Sequence, residues 1–359
     1  MKRILCYMVC LLLAACGPRV SETTLIRGRV EGGSADRASV YVLDYDINEP
    51  IELMDGGFTF ELPTDKAIVA TFTCRIDGKD VHQPLIPDGS ELTITFRPEE
   101  AELRSSNRKS LNYQLIELDK LDKQILSEIR SRQVAQNAGA TPERLDSLYQ
   151  QIQQDMKALN QAYRENLEQH KDDYLGVEGL SKLRGMLTDE QIDSLIGTLD
   201  STAIRTARIR MMRNDIQGRL RTKEGKPFVD FSFEFEGNTV SLSDYVGKGK
   251  YVLADFWASW CQPCIAEMPY LKEVYRQFNG PDFTILGITV SDDPANSRAS
   301  IRELALPWEQ VLGSNMLAAD TYGVDGIPHL ILFGPDGTIL RRGLRGSQVT
   351  TILSEILKK

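Results

Sequence analysis

The sequence predicts three folded regions: a small β-sandwich, a helical region and a carboxyl-terminal α/β domain. Hydrophobic periodicity changes twice, from alternation to a helical repeat near residue 101 and to alternating strand and helix signals near residue 225. The chain has 359 residues, 42% apolar and 26% charged, which is typical of a globular protein of two to three domains. A net charge of −9 argues against a nucleic-acid partner, because phosphate recognition needs a basic face.

The start of the chain has the order of a secretory signal, in which basic residues precede an apolar stretch too short to span a bilayer. This stretch ends in small residues before Cys16 and resembles a bacterial lipoprotein signal, in which the cysteine is acylated. The resemblance implies a signal peptide over 1–15, a tether over 16–24 and a lipid bilayer as partner. We expect the protein in the cell envelope, facing the periplasm. Because Gly17 follows the cysteine instead of Asp, the outer membrane is favoured over the inner. A plain signal peptide with a chance cysteine is the alternative.

After cleavage and acylation, three of the six cysteines keep a free thiol: Cys74, Cys261 and Cys264. In an oxidising compartment, three thiols form one pair and leave one over. Cys74 alternates with polar residues on a predicted strand, so a buried core thiol is favoured over a reactive one.

Short strands with turn signals over 25–100 predict the β-sandwich. Gly56-Gly57 and Pro87-Asp88-Gly89 mark turns. Apolar residues alternate with polar ones in the last predicted strand, at Leu92, Ile94 and Phe96.

Helical periodicity over 101–224 predicts a helical hairpin and further helices. The first predicted helix has an apolar stripe formed by Leu111, Leu115, Leu118, Ile125 and Ile129. The next has an apolar stripe formed by Leu145, Leu148, Ile152, Met156, Leu159, Tyr163 and Leu167. Thr141 with Pro142 marks a helix start, and Thr188 with Gln191 forms a capping box. We expect a structural spacer or docking arm.

A basic stretch ends this region and leads into the last domain. It comprises Arg205, Arg208, Arg210, Arg213, Arg219, Arg221, Lys223 and Lys226. A solvated helix face is the favoured interpretation, with lipid headgroups or an acidic partner as the alternative.

The carboxyl-terminal region 225–359 carries a Cys-x-x-Cys motif between a strand and a helix. The apolar strand over 251–256 runs into Cys261 and Cys264, and a helix follows to about residue 278. Unpaired amides at the helix start favour a thiolate at the first cysteine. Cys261 is therefore predicted to be the attacking thiol and Cys264 the resolving one.

Two other roles for the cysteine pair are disfavoured. Zinc needs about four ligands, and no second cysteine pair or spaced histidine pair is present, so we predict no metal. A structural disulfide within one turn would close almost no loop. Asp255, on the predicted buried strand, is expected to accept a proton from Cys264, with a solvent-exposed strand-end Asp as the alternative.

The run Asp255-Phe256-Trp257-Ala258-Ser259-Trp260-Cys261-Gln262-Pro263-Cys264, with Pro269 and Gly326-Ile327-Pro328, closely resembles thioredoxin. Glu267-Met268-Pro269, Leu242-Ser243-Asp244 and the extra segment 292–306 resemble more narrowly the TlpA/ResA-like extracytoplasmic thiol-disulfide oxidoreductases, which are related to the AhpC/TSA proteins. The upstream regions resemble the amino-terminal part of such lipoproteins in Bacteroidetes-type bacteria, a part whose role is unassigned.

The resemblance implies a thioredoxin fold over 225–359 with a cis peptide before Pro328. It also implies that Glu267 lies near the thiols, where it tunes them or recognises substrate. Substrate contacts are expected at Trp260, Gln262, Pro263, Ile327 and Pro328, with the Ile327 backbone free to pair with an extended chain.

The expected activity is that of a thiol-disulfide oxidoreductase that reduces disulfides in exported proteins. The family suggests cytochrome c maturation, with apocytochrome c as a client. An upstream membrane electron donor is the implied partner, and no cofactor beyond the redox-active disulfide is needed. His329 replaces the usual Thr of thioredoxin, and Gln262-Pro263 replaces Gly-Pro, which leaves the direction of electron flow open.

Two other functions stay open as alternatives. A thiol peroxidase shares the fold, but its Thr three residues before the reactive cysteine is replaced by Ala258. A client-binding or assembly factor would use the upstream domains to grip a protein and the redox pair to lock or release it.

Overall fold

The computed structural model of the chain describes residues 22–357. The predicted signal peptide and Cys16 lie outside these residues, and so does most of the predicted tether over 16–24. Within the described residues, no helix is both long and apolar enough to cross a membrane.

The first part of the described chain forms two four-stranded sheets. The strands are β1 (Thr23–Val30), β2 (Ala35–Val42), β3 (Ile47–Ile51), β4 (Gly57–Pro63), β5 (Ala70–Ile76), β6 (Lys79–Leu85), β7 (Leu92–Phe96) and β8 (Ala101–Ser105). The sheet orders are β4-β1-β7-β8 and β3-β2-β5-β6. Both sheets contribute to one apolar core that includes Ile26, Phe72 and Phe96, so the predicted β-sandwich is confirmed.

Cys74 lies on β5, whose residues alternate between buried and partly buried. Its side chain is fully buried and unpaired, as expected from the alternation. Burial raises the pKa of the thiol, which disfavours the reactive thiolate of Cys74.

The sheet extends past the limit of 100 expected from the sequence, because β8 pairs antiparallel with β7. Helices follow: α1 (Leu111–Asn137), α2 (Pro142–Gln169), α3 (Tyr174–Leu183), α4 (Asp189–Ile196), α5 (Ser201–Ile204) and α6 (Ala207–Arg221). Thr141 caps α2 with Pro142 in the first turn, and Thr188 with Gln191 forms the predicted capping box of α4.

Helices α1 and α2 form the predicted hairpin. Tyr163 of α2 donates a hydrogen bond to Asp122 of α1 at 2.8 Å, and Leu118 and Ile125 are buried as expected. Ile129, placed on the same stripe, is 45% exposed. Leu126 and Val134, further along α1, are exposed as well, so one side of this part of the helix faces water.

Contacts divide the chain into two compact units. The first ends at Lys182 and also includes Asp200–Thr206; the second comprises Leu183–Leu199 and the chain from Ala207 onward. The structure therefore divides the helical region 101–224 between the units, and α4 and α6 belong with the carboxyl-terminal fold.

The second unit is built on a five-stranded sheet flanked by helices. Its elements after α6 are β9 (Ser232–Phe235), β10 (Asn238–Ser241), β11 (Tyr251–Trp257), α7 (Gln262–Phe278), β12 (Phe283–Thr289), α8 (Pro294–Glu303), β13 (Glu309–Val311), α9 (Leu317–Tyr322), β14 (His329–Phe333), β15 (Ile339–Leu344) and α10 (Ser347–Leu357). The sheet order is β13-β12-β11-β14-β15, with β11, β12 and β13 parallel and β14 and β15 alternating in direction. This is the expected thioredoxin arrangement.

Alternate residues of the central strand β11 serve two different cores. Leu253 and Trp257 pack with α7 and α10 on one face, while Ala254 and Phe256 pack with α9 on the other. A buried central strand with both faces covered explains its continuous apolar run and makes the single acidic residue in it, Asp255, conspicuous.

Candidate active site

The two predicted redox cysteines lie where β11 gives way to α7. Cys261 is the N-cap of α7 and Cys264 lies in its first turn, with the two joined by a disulfide whose Cα atoms are 5.3 Å apart. The amide of Cys264 donates a hydrogen bond to Sγ of Cys261 at 3.2 Å. In the reduced state, the same amide and the helix start would stabilise a thiolate at Cys261. The two cysteines are therefore placed as the sequence predicts, and the attacking role of Cys261 and the resolving role of Cys264 stay predictions.

The loop before Cys261 is held by a buried aspartate from another part of the domain. Asp292 accepts hydrogen bonds from the amide and hydroxyl of Ser259, both at 2.8 Å, and from the hydroxyl of Ser297 at 2.6 Å. Trp260 donates its indole N–H to the carbonyl of Ser291 at 2.9 Å. The Trp260 ring is nevertheless 59% exposed, so it lies at the surface beside the disulfide.

The peptide bond between Ile327 and Pro328 is cis, as the resemblance implied. His329 lies opposite Phe256 in the pairing of β14 with β11. Pro328 therefore lies just beyond the end of the sheet at which β11 leads to the cysteines. Ile327 packs against the core cluster that contains Cys261 and Cys264. Ile327 also packs against the core on the other face of the sheet. Of the other residues predicted to bind substrate, Gln262 and Pro263 are exposed in the first turn of α7.

Asp255 is buried, with 1% of its surface exposed, so the solvent-exposed alternative is wrong. It belongs to the sheet face that carries Trp257 and Leu253, the face covered by α7. Within residues 22–357 neither carboxylate oxygen has a hydrogen-bond partner. Burial, with a further contribution from Glu267, raises the pKa of Asp255 to about 8, and Arg345 opposes the shift. A carboxyl group that titrates near neutral pH is suited to proton exchange with a thiol.

Glu267 lies on α7, one turn after Cys264, and is partly buried. Burial raises its pKa, while Arg345 and a hydrogen bond from the Gly346 amide oppose the shift. Glu267 thus lies on the same helix as Cys264 and close enough to Asp255 to raise its pKa, a proximity that the sequence does not predict. Arg345 thus lowers the pKa of both carboxyl groups, while burial raises both.

Sequence reasoning missed Asp292 and Arg345 as residues that shape this site, and it identified His329 only as a departure from the thioredoxin motif. Asp292 holds the loop before the cysteines, Arg345 donates a hydrogen bond to the carbonyl of Pro328, and His329, the residue after Pro328, is partly buried at the start of β14. Burial, Arg342 and Arg345 lower the pKa of His329 to about 4, so the imidazole is neutral at pH 7. Only His329 carried a signal, since it replaces a Thr in the motif; Asp292 and Arg345 reach the site from segments far away in the chain.

These features define a thioredoxin-fold protein with a redox-active dithiol. Residues 225–342 match the AhpC/TSA family. The thiol-disulfide oxidoreductase ResA of Bacillus cereus is 30% identical over 137 residues, which cover 38% of this chain and 76% of that protein. ResA of Bacillus subtilis is 28% identical over 125 residues, or 34% of this chain and 69% of that protein.

Among solved structures, the thioredoxin domain of a thiol-disulfide oxidoreductase from Bacteroides vulgatus is 33% identical. The match covers 37% of this chain and 97% of that domain, with a TM-score of 0.34. The chain belongs, through its carboxyl-terminal domain, to the ResA-like thiol-disulfide oxidoreductases of the AhpC/TSA family. It is an oxidoreductase.

Proposed function

We propose that the protein is a membrane-anchored periplasmic reductase of disulfides in exported proteins. The observation that carries the proposal is the placement of Cys261 at the start of α7 with Cys264 one turn later and the buried Asp255 on the strand beneath. This constellation supports repeated thiol-disulfide exchange, because each cycle needs one thiolate, one resolving thiol and one group that takes the thiol proton.

The reaction transfers two electrons and balances as follows. The Cys261 thiolate attacks one sulfur of a substrate disulfide, forming a mixed disulfide and releasing the other substrate sulfur as a thiolate. Cys264, having given its proton to Asp255, then attacks Cys261, which forms the Cys261–Cys264 disulfide and releases the second substrate sulfur. The substrate is reduced, the protein is oxidised, and a membrane electron donor restores its dithiol.

The leader sequence supports the envelope location. Acylation of Cys16 would attach the protein to a bilayer by its amino terminus, and two or more acyl chains give stable anchoring. Labelling of growing cells with a palmitate analogue tests this: the wild-type chain is expected to carry label in the membrane fraction, and Cys16→Ala is expected to carry none. Label on both proteins, or on neither, would contradict the anchor.

Reduction of insulin disulfides tests the reductase activity. The wild-type protein, recycled by dithiothreitol, is expected to accelerate reduction, and Cys261→Ser is expected to abolish the acceleration. Cys74→Ser is the matched control, since it removes a thiol from the same chain without touching the site. Insulin reduction that survives Cys261→Ser would refute the mechanism.

The client can be identified by trapping. In Cys264→Ala the mixed disulfide between Cys261 and substrate is not resolved, so clients accumulate in covalent complexes. We expect exported proteins, with apocytochrome c as the candidate that the family suggests.

Peroxide consumption no faster than that of a free thiol would set the peroxidase alternative aside.

A further inference from the structure

Helix α6 precedes the matched range 225–342, yet its backbone touches the thioredoxin fold directly. A Cβ atom added to Gly218 would lie 2.4 Å from the amide nitrogen of Gly323, and one added to Gly323 would lie 2.1 Å from the carbonyl oxygen of Asp215. Such distances leave no room for a side chain at either position. The α6 backbone is therefore in close contact with Gly323, the residue that follows α9.

A partly buried arginine on the sheet fixes this contact. Arg342 of β15 donates to the carbonyls of Thr222 at 3.0 Å and Tyr322 at 2.5 Å, which end α6 and α9. No carboxylate within residues 22–357 lies at ion-pair distance from its guanidinium, and burial lowers its pKa. Its positive charge lies instead at two helix carboxyl termini, where it is favourable.

An ion-pair network joins the same helices to the segment that precedes Pro328. The carboxylate of Asp325 accepts from Arg184 at 2.6 Å and from Arg219 of α6 at 3.2 Å. Arg219 also forms a two-pronged ion pair with Asp189 of α4, at 2.7 and 3.0 Å. Asp325 is thus held by two guanidinium groups from residues that lie outside the range matched by the family.

Asp325 lies two residues before Ile327 and three before Pro328. On one side of it Val324 is buried in the core, and on the other side Ile327 packs against both cores. Asp325 and Gly326 between them are exposed, and Gly326 has no atom within 4 Å of where its Cβ would be. The ion pairs of Asp325 are therefore the side-chain restraint on this exposed part of the segment that leads to the Ile327–Pro328 peptide bond.

We propose that Asp325 is a positioning residue for substrate binding, which with Arg184 and Arg219 holds Gly323–Pro328 where Ile327 meets the substrate chain. This inference rests on the proposed reduction of protein disulfides and adds to it that α4 and α6 support the substrate site. An extended polypeptide needs the Ile327 backbone in place, since it adds to the site by main-chain hydrogen bonds. A small disulfide needs only the thiols.

The test uses the full chain, reduced beforehand, with insulin as the polypeptide disulfide and bis(2-hydroxyethyl) disulfide as the small one. For Asp325→Asn we expect the insulin concentration at half-maximal rate to rise about fivefold. The maximal rate, the rate with the small disulfide and the reduction potential are expected to stay within about twofold of wild type, because the thiols are untouched. Asp320→Asn, an exposed carboxylate on α9, is the matched control and should match the wild type.

A second variant checks the proposed partners. Arg184→Gln combined with Arg219→Gln should raise the half-maximal insulin concentration as Asp325→Asn does, and adding Asp325→Asn should raise it no further, because all three act as one unit. An unchanged half-maximal concentration in Asp325→Asn, or an equal slowing with both substrates, would overturn this inference alone. A wild-type protein that reduces the small disulfide but not insulin would overturn the proposed function instead.

Discussion

Asp255 and His329 lie on opposite faces of one sheet, one position apart in the register of β11 and β14, and burial shifts their pKa values in opposite directions. Asp255 faces α7 and its pKa is raised to about 8, whereas His329 contacts Phe256 on the other face and its pKa is lowered to about 4. At pH 7 His329 is therefore neutral, and Asp255 is mostly protonated, with about a tenth of it ionised and able to accept the proton of Cys264. Each makes the stability of the fold depend on pH, over a different range.

Asp255→Asn is expected to stabilise the oxidised protein in alkaline solution. The folded state keeps the proton of Asp255 up to about pH 8, whereas the unfolded chain loses it near the ordinary value of 3.8. Wild-type stability therefore falls as the pH rises from about 4 to 8, and the Asn variant lacks this loss. Urea unfolding at pH 9 should show a gain on the order of 6 kcal/mol, shrinking towards pH 4. A gain that does not change with pH would contradict the buried titration.

The same variant is expected to slow insulin reduction at pH 7 by about 10- to 100-fold, since Cys264 loses its proton acceptor. The maximal rate should fall, while formation of the mixed disulfide by Cys261 is spared. Rapid-quench measurement of both steps checks this. Equal slowing of the two steps would show that Asp255 does not act on Cys264.

His329→Thr is expected to weaken the dependence of the free energy of unfolding on pH in acid solution. The folded state holds His329 neutral down to about pH 4, while the unfolded chain takes up a proton near 6.5, so wild-type stability is lost as the pH falls between these values. The measurement is the slope of the unfolding free energy against pH, which the Thr variant should reduce. His82→Thr, at an exposed position on β6, is the control and should keep the wild-type slope.

Asp292→Ala is expected to destabilise the protein by about 2 kcal/mol, because the variant leaves Ser259 and Ser297 without their shared acceptor. Freed from Asp292, the loop before Cys261 should also expose the disulfide, so dithiothreitol should reduce it faster. Urea unfolding and the rate of reduction check both effects. A destabilised variant with an unchanged reduction rate would limit Asp292 to a structural role.

Cys74 is expected to be inaccessible in the folded protein. A maleimide reagent should label no thiol of the oxidised mature chain in buffer and one thiol in denaturant, because Cys261 and Cys264 are joined and Cys74 is buried. Rapid labelling in buffer would place Cys74 at the surface. Cys74→Ala should cost about 1 to 2 kcal/mol of stability through the cavity it leaves.

The sequence predicts this fold wherever the signals are local. The capping box at Thr188, the start of α2 at Pro142 and the Cys-x-x-Cys junction all depend on residues within one or two turns. Asp255 could be placed in the core because one charge interrupts an apolar strand. By contrast, the link from Asp292 to Ser259 joins residues 33 positions apart, and its geometry is set only when β12 pairs with β11.

The contact between α6 and Gly323 cannot be predicted from the sequence, for a related reason. The basic stretch was interpreted as a solvated face, and nothing local shows that Arg219 meets Asp189 and Asp325, which lie 30 and 106 positions away. Gly218 and Gly323 are each unremarkable glycines in the sequence. Glycine is needed at both positions because two backbones approach closely there, and this contact exists only in the folded chain.

Cys261 is both the reacting group and the N-cap of α7, and its sulfur accepts the Cys264 amide. The cap therefore changes its charge once in every catalytic cycle, from an anionic acceptor in the dithiol to a neutral one in the disulfide. An anionic acceptor holds a helix start more firmly than a neutral one. The first turn of α7 should consequently be tighter in the form that is ready to attack and looser in the form that awaits electrons, so that exchange of the Cys264 amide proton reports the oxidation state.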